Sequence, residues 1–207
     1  MQLVHTRKQY RSLSLFAALA AALAMLAGGA AAQTPALDVP YVPTPQNVVD
    51  RMLVIAAVKQ GDVLYDLGSG DGRIVITAAK RYGARGIGID LDPARIKEAR
   101  SNATKAGVEQ QVKFVNADLF KTDLSDASVV TLYLLNSVNR DLRPQLWRQL
   151  QVGTRVVSHA FDMGQEWPHE RTERVDGRAI YSWTVTQANK RAAMAAPAPA
   201  ASATSQP

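Results

Sequence analysis

Short apolar runs rich in Val, Ile and Leu recur through the middle of the chain, at Asp62 to Asp66, Gly86 to Ile89, Val112 to Val115, Val129 to Leu135 and Arg155 to Ser158. Runs this short, apolar at successive rather than alternate positions, are the pattern of strands buried on both faces. Helical spacing predicts helices between most of them, over Arg73 to Tyr82, Pro93 to Lys105 and Asn139 to Gln151, with room for only a short turn near Lys121 to Ser125. Strand and helix alternating in this way predict a parallel sheet joined by right-handed crossovers. Two further strands, Arg171 to Asp176 and Ala179 to Thr186, surround Asp176-Gly177, a two-residue hairpin signal, and are expected to close the sheet antiparallel. The expected fold is α/β: a three-layer sandwich whose mostly parallel sheet has seven strands and ends in an antiparallel C-terminal hairpin.

Ahead of the first strand lies Val39-Pro40-Tyr41-Val42-Pro43-Thr44-Pro45. Thr44 suits an N-cap and Pro45 a first helical position, and Val48, Met52, Ile55 and Ala56 then fall on one buried face. The Pro-rich lead-in has little freedom and would hold Tyr41 and Thr44 in place; a plain linker that starts a helix is the alternative reading.

A length of 207 residues accommodates one domain of ordinary size once the two ends are set aside. Residues 1–32 read as an export signal: a basic stretch (His5, Arg7, Lys8, Arg11), an uncharged apolar run from Leu13 to Leu26, then Gly28-Gly29-Ala30-Ala31-Ala32 as small residues for cleavage. Cleavage after Ala32 is the first expectation and retention as a single membrane anchor the second, since about 20 apolar residues span a bilayer. Either fate puts the domain outside the cytoplasm, periplasmic or anchored there, with membrane contact only through this segment if it is uncut. A mitochondrial presequence is a third reading, disfavoured because the Ala/Leu core is insufficiently amphipathic. The domain is expected over 33–187, and 188–207, rich in Ala, Pro and Ser, is expected to be a disordered tail.

Charge narrows the partners only a little. Three of the 24 Lys and Arg residues lie in the signal, leaving 21 against 18 acids. The pI near 9.7 therefore overstates how basic the domain is, and no Lys/Arg stripe interleaved with aromatics marks a nucleic-acid binder. Absence of cysteine excludes disulfides, thiolate metal sites and a Cys nucleophile, and three scattered histidines, one of them in the signal, give no metal-ligand spacing. Neither nucleic acid nor metal is expected.

Candidate chemistry concentrates at Val63-Leu64-Tyr65-Asp66-Leu67-Gly68-Ser69-Gly70-Asp71-Gly72-Arg73. A strand ending in an acid runs into three glycines at alternate positions and then a helix, which allows a tight turn, close approach of a ligand to backbone and a positive helix end facing it. Alone, such a turn serves strand-to-helix packing as often as binding. Here Asp90 ends the second strand, 22 residues after Gly68, where a carboxylate reaches the two hydroxyls of a ribose. Asp118 follows the third strand beside the same crevice, where a carboxylate can accept from an adenine amine.

This set, Asp66-Leu67-Gly68-Ser69-Gly70-Asp71-Gly72 with Asp90 and then Asp118 one and two strands later, resembles the first three motifs of class I, Rossmann-like S-adenosylmethionine-dependent methyltransferases. The resemblance covers about Tyr41 to Thr186. It implies S-adenosyl-L-methionine as cofactor, its methionine part on Asp66 and the turn of Gly68, Ser69, Gly70 and Gly72, its ribose on Asp90, and its adenine on Asp118 and the Leu119 backbone, with Thr44 also at the site. More narrowly, Val42-Pro43-Thr44-Pro45, Asp118-Leu119-Phe120 and Tyr133-Leu134-Leu135 look like the small protein-lysine methyltransferases that act on the ATP synthase c-subunit and adenine nucleotide translocase, and their bacterial relatives. The implied acceptor is an amine such as a protein lysine, on a membrane-associated protein; a small molecule or lipid is the alternative.

A sulfonium methyl is already electrophilic, so alignment of a nucleophile and exclusion of water are the main requirements and a dedicated base is not needed. The fourth-strand end, Leu132-Tyr133-Leu134-Leu135-Asn136-Ser137, lacks the Asn/Asp-Pro-Pro-Tyr/Phe run of enzymes that methylate amides and exocyclic amines. Tyr133 and Asn136 are candidates to orient an amine, and His159, at the end of the fifth strand, for proton transfer; each has a structural reading beside it, core packing for Tyr133 above all. Trp167-Pro168-His169 is expected to form a lip, where Trp167 either shapes a substrate channel or covers the hydrophobic edge. A nicotinamide-dependent oxidoreductase is disfavoured because the turn is Gly-x-Gly-x-Gly and no catalytic Tyr-Lys or His-Asp set follows. A non-catalytic cofactor binder stays open, since export removes the chain from the cytosolic supply of S-adenosylmethionine.

Overall fold

The computed structural model describes residues 42–195; the expected signal, Tyr41 and the last twelve positions lie outside them. In chain order the elements are α1 (Gln46–Ile55), β1 (Val63–Leu67), α2 (Arg73–Tyr82), β2 (Arg85–Asp90), α3 (Pro93–Ala106), β3 (Val112–Asn116), a 3-10 turn (Leu119–Lys121), β4 (Val129–Leu132), α4 (Asn136–Gln149), β5 (Arg155–His159), β6 (Arg171–Val175), β7 (Arg178–Thr184) and α5 (Gln187–Ala195). The seven strands form one sheet in the order β3-β2-β1-β4-β5-β7-β6. Strands β3, β2, β1, β4 and β5 pair in parallel, while β7 is antiparallel to both β5 and β6. The hairpin closes the sheet as expected, but β7 inserts between β5 and β6, so β6 points the same way as the parallel strands.

Continuous apolar runs arise because both faces are covered. Val129 and Val157 belong to the core shared with α1, α2 and α3, whereas their neighbours Val130 and Val156 belong to the core shared with α4 and α5. Successive strand side chains point to opposite faces, so a strand between two helical layers is apolar at every position. The crossover from β3 to β4 carries only the 3-10 turn, in keeping with the short segment between them.

Four local expectations are corrected. β4 stops at Leu132 rather than Leu135, where its pairing with Leu67, the last residue of β1, and with Ser158 of β5 ends. The chain thus leaves the sheet at Tyr133, and α4 starts three residues earlier than the periodicity predicts. Thr44 does not cap α1: Pro45 holds the cap position and its carbonyl receives the amides of Val48 and Val49, while the Thr44 side chain turns into the protein. The segment after Val185 is helical over Gln187–Ala195, not disordered from 188; Thr186 and Asn189 bond each other at its start, Lys190 Nζ donates to the carbonyls of Arg148 and Leu150 at the end of α4, and Ala193 is buried. Finally, Trp167 is no lip: it is buried against Trp147 and Trp183, and its carbonyl accepts from Trp183 Nε1 at 2.8 Å.

At the foot of the sheet, away from the glycine turn, the buried Asp62 carboxylate accepts from Arg155, from Ser128 Oγ at 2.8 Å and from the Lys59 amide at 2.9 Å. Arg155 also donates to the carbonyls of Ala56 and Ala57, tying the end of α1 to β1 and β5.

Candidate active site

The parallel strands all end on one edge, and a cavity opens there between the tips of β1, β2 and β4, as open α/β sheets place their ligand sites. Asp66, the glycine turn, Asp90, Leu119, Tyr133, Phe161 and Thr44 are among the residues that line it. The fold therefore brings together residues from six separate segments.

Gly68, Gly70 and Gly72 all have positive φ (81°, 52° and 80°), a backbone that side chains rarely adopt. The turn is fastened to β2: the amides of Gly68 and Ser69 both donate to the Ile89 carbonyl at 2.9 Å, and the Gly70 amide donates to Asp90 Oδ2 at 2.8 Å. These amides are thus engaged by the protein rather than bare. Ser69 belongs to the cavity lining, and its Oγ is buried beside Gly88 with no hydrogen-bond partner among the described residues. Gly72 does not line the cavity. It precedes α2 and lets Phe114 pack beneath the turn, since a Cβ there would lie 2.5 Å from that ring.

Asp90 sits half-buried at the tip of β2 and also accepts the Asp92 amide at 2.9 Å, so both oxygens are oriented by backbone before any ligand arrives. Asp66, at the tip of β1, is fully enclosed. Burial, with the nearby charges of Asp90 and Asp71 adding to it, pushes its pKa up to about 7 against the opposing bond from Thr131 Oγ1 at 2.7 Å. A buried carboxyl at the wall of a cavity is suited to a ligand that carries a cation. The unpartnered Ser69 hydroxyl, the buried Asp66 and the oriented Asp90 together fit a ligand with cationic and hydroxylated parts, as S-adenosylmethionine is.

Several residues stand apart from the roles expected of them. Asp118 does not line the cavity: its carboxylate accepts the Phe120 amide at 2.9 Å to start the 3-10 turn and pairs with Lys121. Leu119, next to it, does line the cavity. Asn136 caps the loop after β5, its Oδ1 accepting the Asp162 amide at 3.1 Å, and is not part of the lining. His159 is buried behind the wall, with its pKa lowered to about 4 by burial and by the charge of Arg178. An imidazole so held stays neutral and is no proton acceptor for an amine. Tyr133 is where a substrate-facing residue should be: it lines the cavity, with the Phe161 ring stacked 6.1 Å away.

Arg73, Asp71 and Phe161 were not anticipated. Arg73 opens α2, pairs with Asp71 and donates from Nη1 to the Thr44 carbonyl at 2.9 Å, which pins the segment before α1 against the glycine turn. Its only sequence signal was its place directly after the glycines. Phe161 carried none, because it lies in a loop.

A parallel sheet with a β7 inserted antiparallel beside β5, a glycine turn after β1 and an acid at the tip of β2 define a Rossmann-like methyltransferase. The chain belongs to the ANTKMT methyltransferase domain family, whose model matches residues 66–171. It is 49% identical over 140 residues to a protein-lysine N-methyltransferase of Saccharolobus islandicus (strain REY15A), covering 67% of this chain and 87% of that protein. It is 33% identical to the human lysine N-methyltransferase of the ATP synthase c-subunit, over 71% of this chain and 62% of that protein. Mouse adenine nucleotide translocase lysine N-methyltransferase is 38% identical over 67% of this chain, which again spans 62% of the relative. Among solved structures, the chain superposes with a TM-score of 0.69 on an RNA methyltransferase from Salinibacter ruber in complex with S-adenosyl-L-homocysteine, at 59% identity over 70% of this chain and 95% of that one. The protein is an S-adenosylmethionine-dependent methyltransferase of a family of protein-lysine methyltransferases.

Proposed function

We propose that the protein methylates a lysine ε-amine on a membrane-associated protein. The observation that carries this reading is the aromatic pair Tyr133 and Phe161 lining the same cavity as Asp66 and Asp90, which sets an apolar wall opposite the cofactor residues. Such a wall packs the aliphatic stem of a lysine and attracts its ammonium through the ring faces. It also removes water from the amine, which favours the neutral form that attacks. Bound S-adenosylmethionine supplies the electrophilic methyl. Asp90 holds the ribose hydroxyls, Asp66 and Ser69 face the amino-acid end, and Leu119 packs on the base. No side chain need act as base, which agrees with the retreat of His159 from the cavity.

A membrane-associated acceptor is supported by the relatives whose names specify the ATP synthase c-subunit and adenine nucleotide translocase. The mouth supports it too, because Val42 and Leu135 line the cavity yet remain 55% and 38% exposed, an apolar rim. Residues 1–32 support delivery across a membrane, with the domain periplasmic or anchored facing outward.

The test is to incubate the purified protein with methyl-labelled S-adenosylmethionine and, separately, membrane proteins, soluble proteins, lipids and RNA. Label on a lysine of a membrane protein is expected; label confined to RNA or lipid overturns the reading. Fractionation of cells that make the full chain tests delivery, and recovery in the cytoplasm contradicts it.

A further inference from the structure

His159 is fully buried, does not line the cavity and takes no part in the transfer just described, yet it joins two groups that do line it. Its ring lies 3.9 Å from that of Tyr133, centroid to centroid and inclined by 33°. Its Nδ1 is hydrogen-bonded to Thr44 Oγ1 at 3.2 Å, across 115 residues of sequence. Thr44 is held from the other side as well, because Arg73, paired with Asp71 of the glycine turn, donates to the Thr44 carbonyl at 2.9 Å. One residue thus connects the cofactor turn, through its backbone oxygen, to the aromatic wall, through its hydroxyl.

We propose that His159 is a positioning residue for methyl transfer: it locks the Tyr133 ring and the Thr44 segment into one wall, against which the acceptor amine is aligned with the cofactor. This rests on the methyl-transfer reading above. The physical reasoning concerns rotation. An imidazole packed at a tilt on a ring resists sliding but can still turn about its Cβ–Cγ bond, and the bond to Thr44 stops that turning. Without it, two buried polar atoms lose their partner and the Tyr133 ring loses a fixed neighbour. Alignment of reacting atoms is the term most sensitive to such slack, whereas cofactor affinity depends on Asp66, Asp90 and the glycine turn, which His159 does not touch.

His159→Phe keeps a ring against Tyr133 and deletes the nitrogen; Thr44→Val deletes the hydroxyl at constant shape. With membrane proteins as the acceptor mixture, each is expected to lower kcat about tenfold, and in His159→Phe, whose site lies outside the cavity lining, the KM for S-adenosylmethionine and the Kd of S-adenosylhomocysteine should stay within about twofold of wild type. Because both remove the same bond, the double variant should be no slower than the slower single one. Thr44→Ser, which restores a hydroxyl, should recover most of what Thr44→Val loses. Wild-type turnover by His159→Phe, losses that multiply in the double variant, or losses matched by weaker cofactor binding would each overturn the proposal. If His159→Phe does not fold, Thr44→Val and Thr44→Ser report on the same bond. A wild type that binds S-adenosylhomocysteine but labels nothing removes the methyl-transfer reading together with this one, an outcome distinct from an active wild type with an equally active His159→Phe.

Discussion

The Thr131 hydroxyl donates to the Asp66 carboxyl at 2.7 Å inside a space closed to solvent, and no other side chain among the described residues bonds that carboxyl. One hydroxyl does not offset the loss of water, so Asp66 titrates near neutrality, at about 7.

The pH dependence of stability follows from this. Folded Asp66 keeps its proton up to about pH 7, whereas unfolded it loses it near its ordinary value of 3.8. Between these values the folded state binds more protons, so Asp66 contributes stability that is present at low pH and lost as pH rises towards 7. Asp66→Asn should flatten that decline and stabilise the ligand-free protein at pH 8 by roughly 1–3 kcal/mol, or a few degrees in Tm, while weakening S-adenosylmethionine binding. Thermal melts across pH 4 to 8 check this; parallel curves for the two proteins would contradict it.

Phe114 fills the space that a side chain at position 72 would need, with its ring atoms 2.5 and 2.7 Å from the ideal Cβ position. Gly72 also has φ +80°, which strains any other residue. Gly72→Ala is expected to destabilise by about 2–4 kcal/mol, the sum of backbone strain and overpacking. Chemical denaturation measures it, and a loss below about 0.5 kcal/mol would show that the turn can shift freely.

Asp62 supplies a contrasting case at the other end of the sheet. Burial pushes its pKa up, but Arg155, the Lys59 amide and Ser128 together outweigh burial and hold it below the ordinary carboxylate value. Its contribution is therefore present above that value and lost on acidification through the lowered pKa. Asp62→Asn should destabilise by about 2 kcal/mol or more at pH 7, as removal of one partner of a buried pair does, and should flatten the acid limb. Cofactor affinity, measured well below the melting temperature, should not change, and a weaker affinity would mean that the two ends of the sheet are coupled.

The strands and helices were legible because burial on both faces and the glycine punctuation impose patterns that neighbours cannot override. β4 was read three residues too long because Tyr133, Leu134 and Leu135 are apolar; Leu134 is buried outside the sheet and Leu135 is exposed at the cavity mouth, and apolarity alone does not separate these places from a strand. Thr44 was read as a cap since its local sequence fits one, and only the fold reveals that His159, far along the chain, takes its hydroxyl. The α5 helix was missed because its short side chains promise little burial, while its tether, Lys190 on the carbonyls of Arg148 and Leu150, is a tertiary contact. At the cavity, the positions of Asp66, Gly68, Gly70 and Asp90 at neighbouring strand tips were legible from spacing. Asp118 lies on the loop beside the cavity, where its carboxylate accepts the Phe120 amide and starts the turn that presents Leu119.

Titration calorimetry with S-adenosylhomocysteine on the wild type and on Asp90→Ala tests the central claim, that the cavity beyond β1, β2 and β4 holds the cofactor. Asp90 orients the Gly70 and Asp92 amides as well as facing the cavity, so its loss removes a ligand contact and loosens the turn. The account predicts one site per wild-type chain and at least tenfold weaker binding in Asp90→Ala, equivalent to about 1.4 kcal/mol. No heat with the folded wild type, or equal affinity in the two proteins, would contradict it.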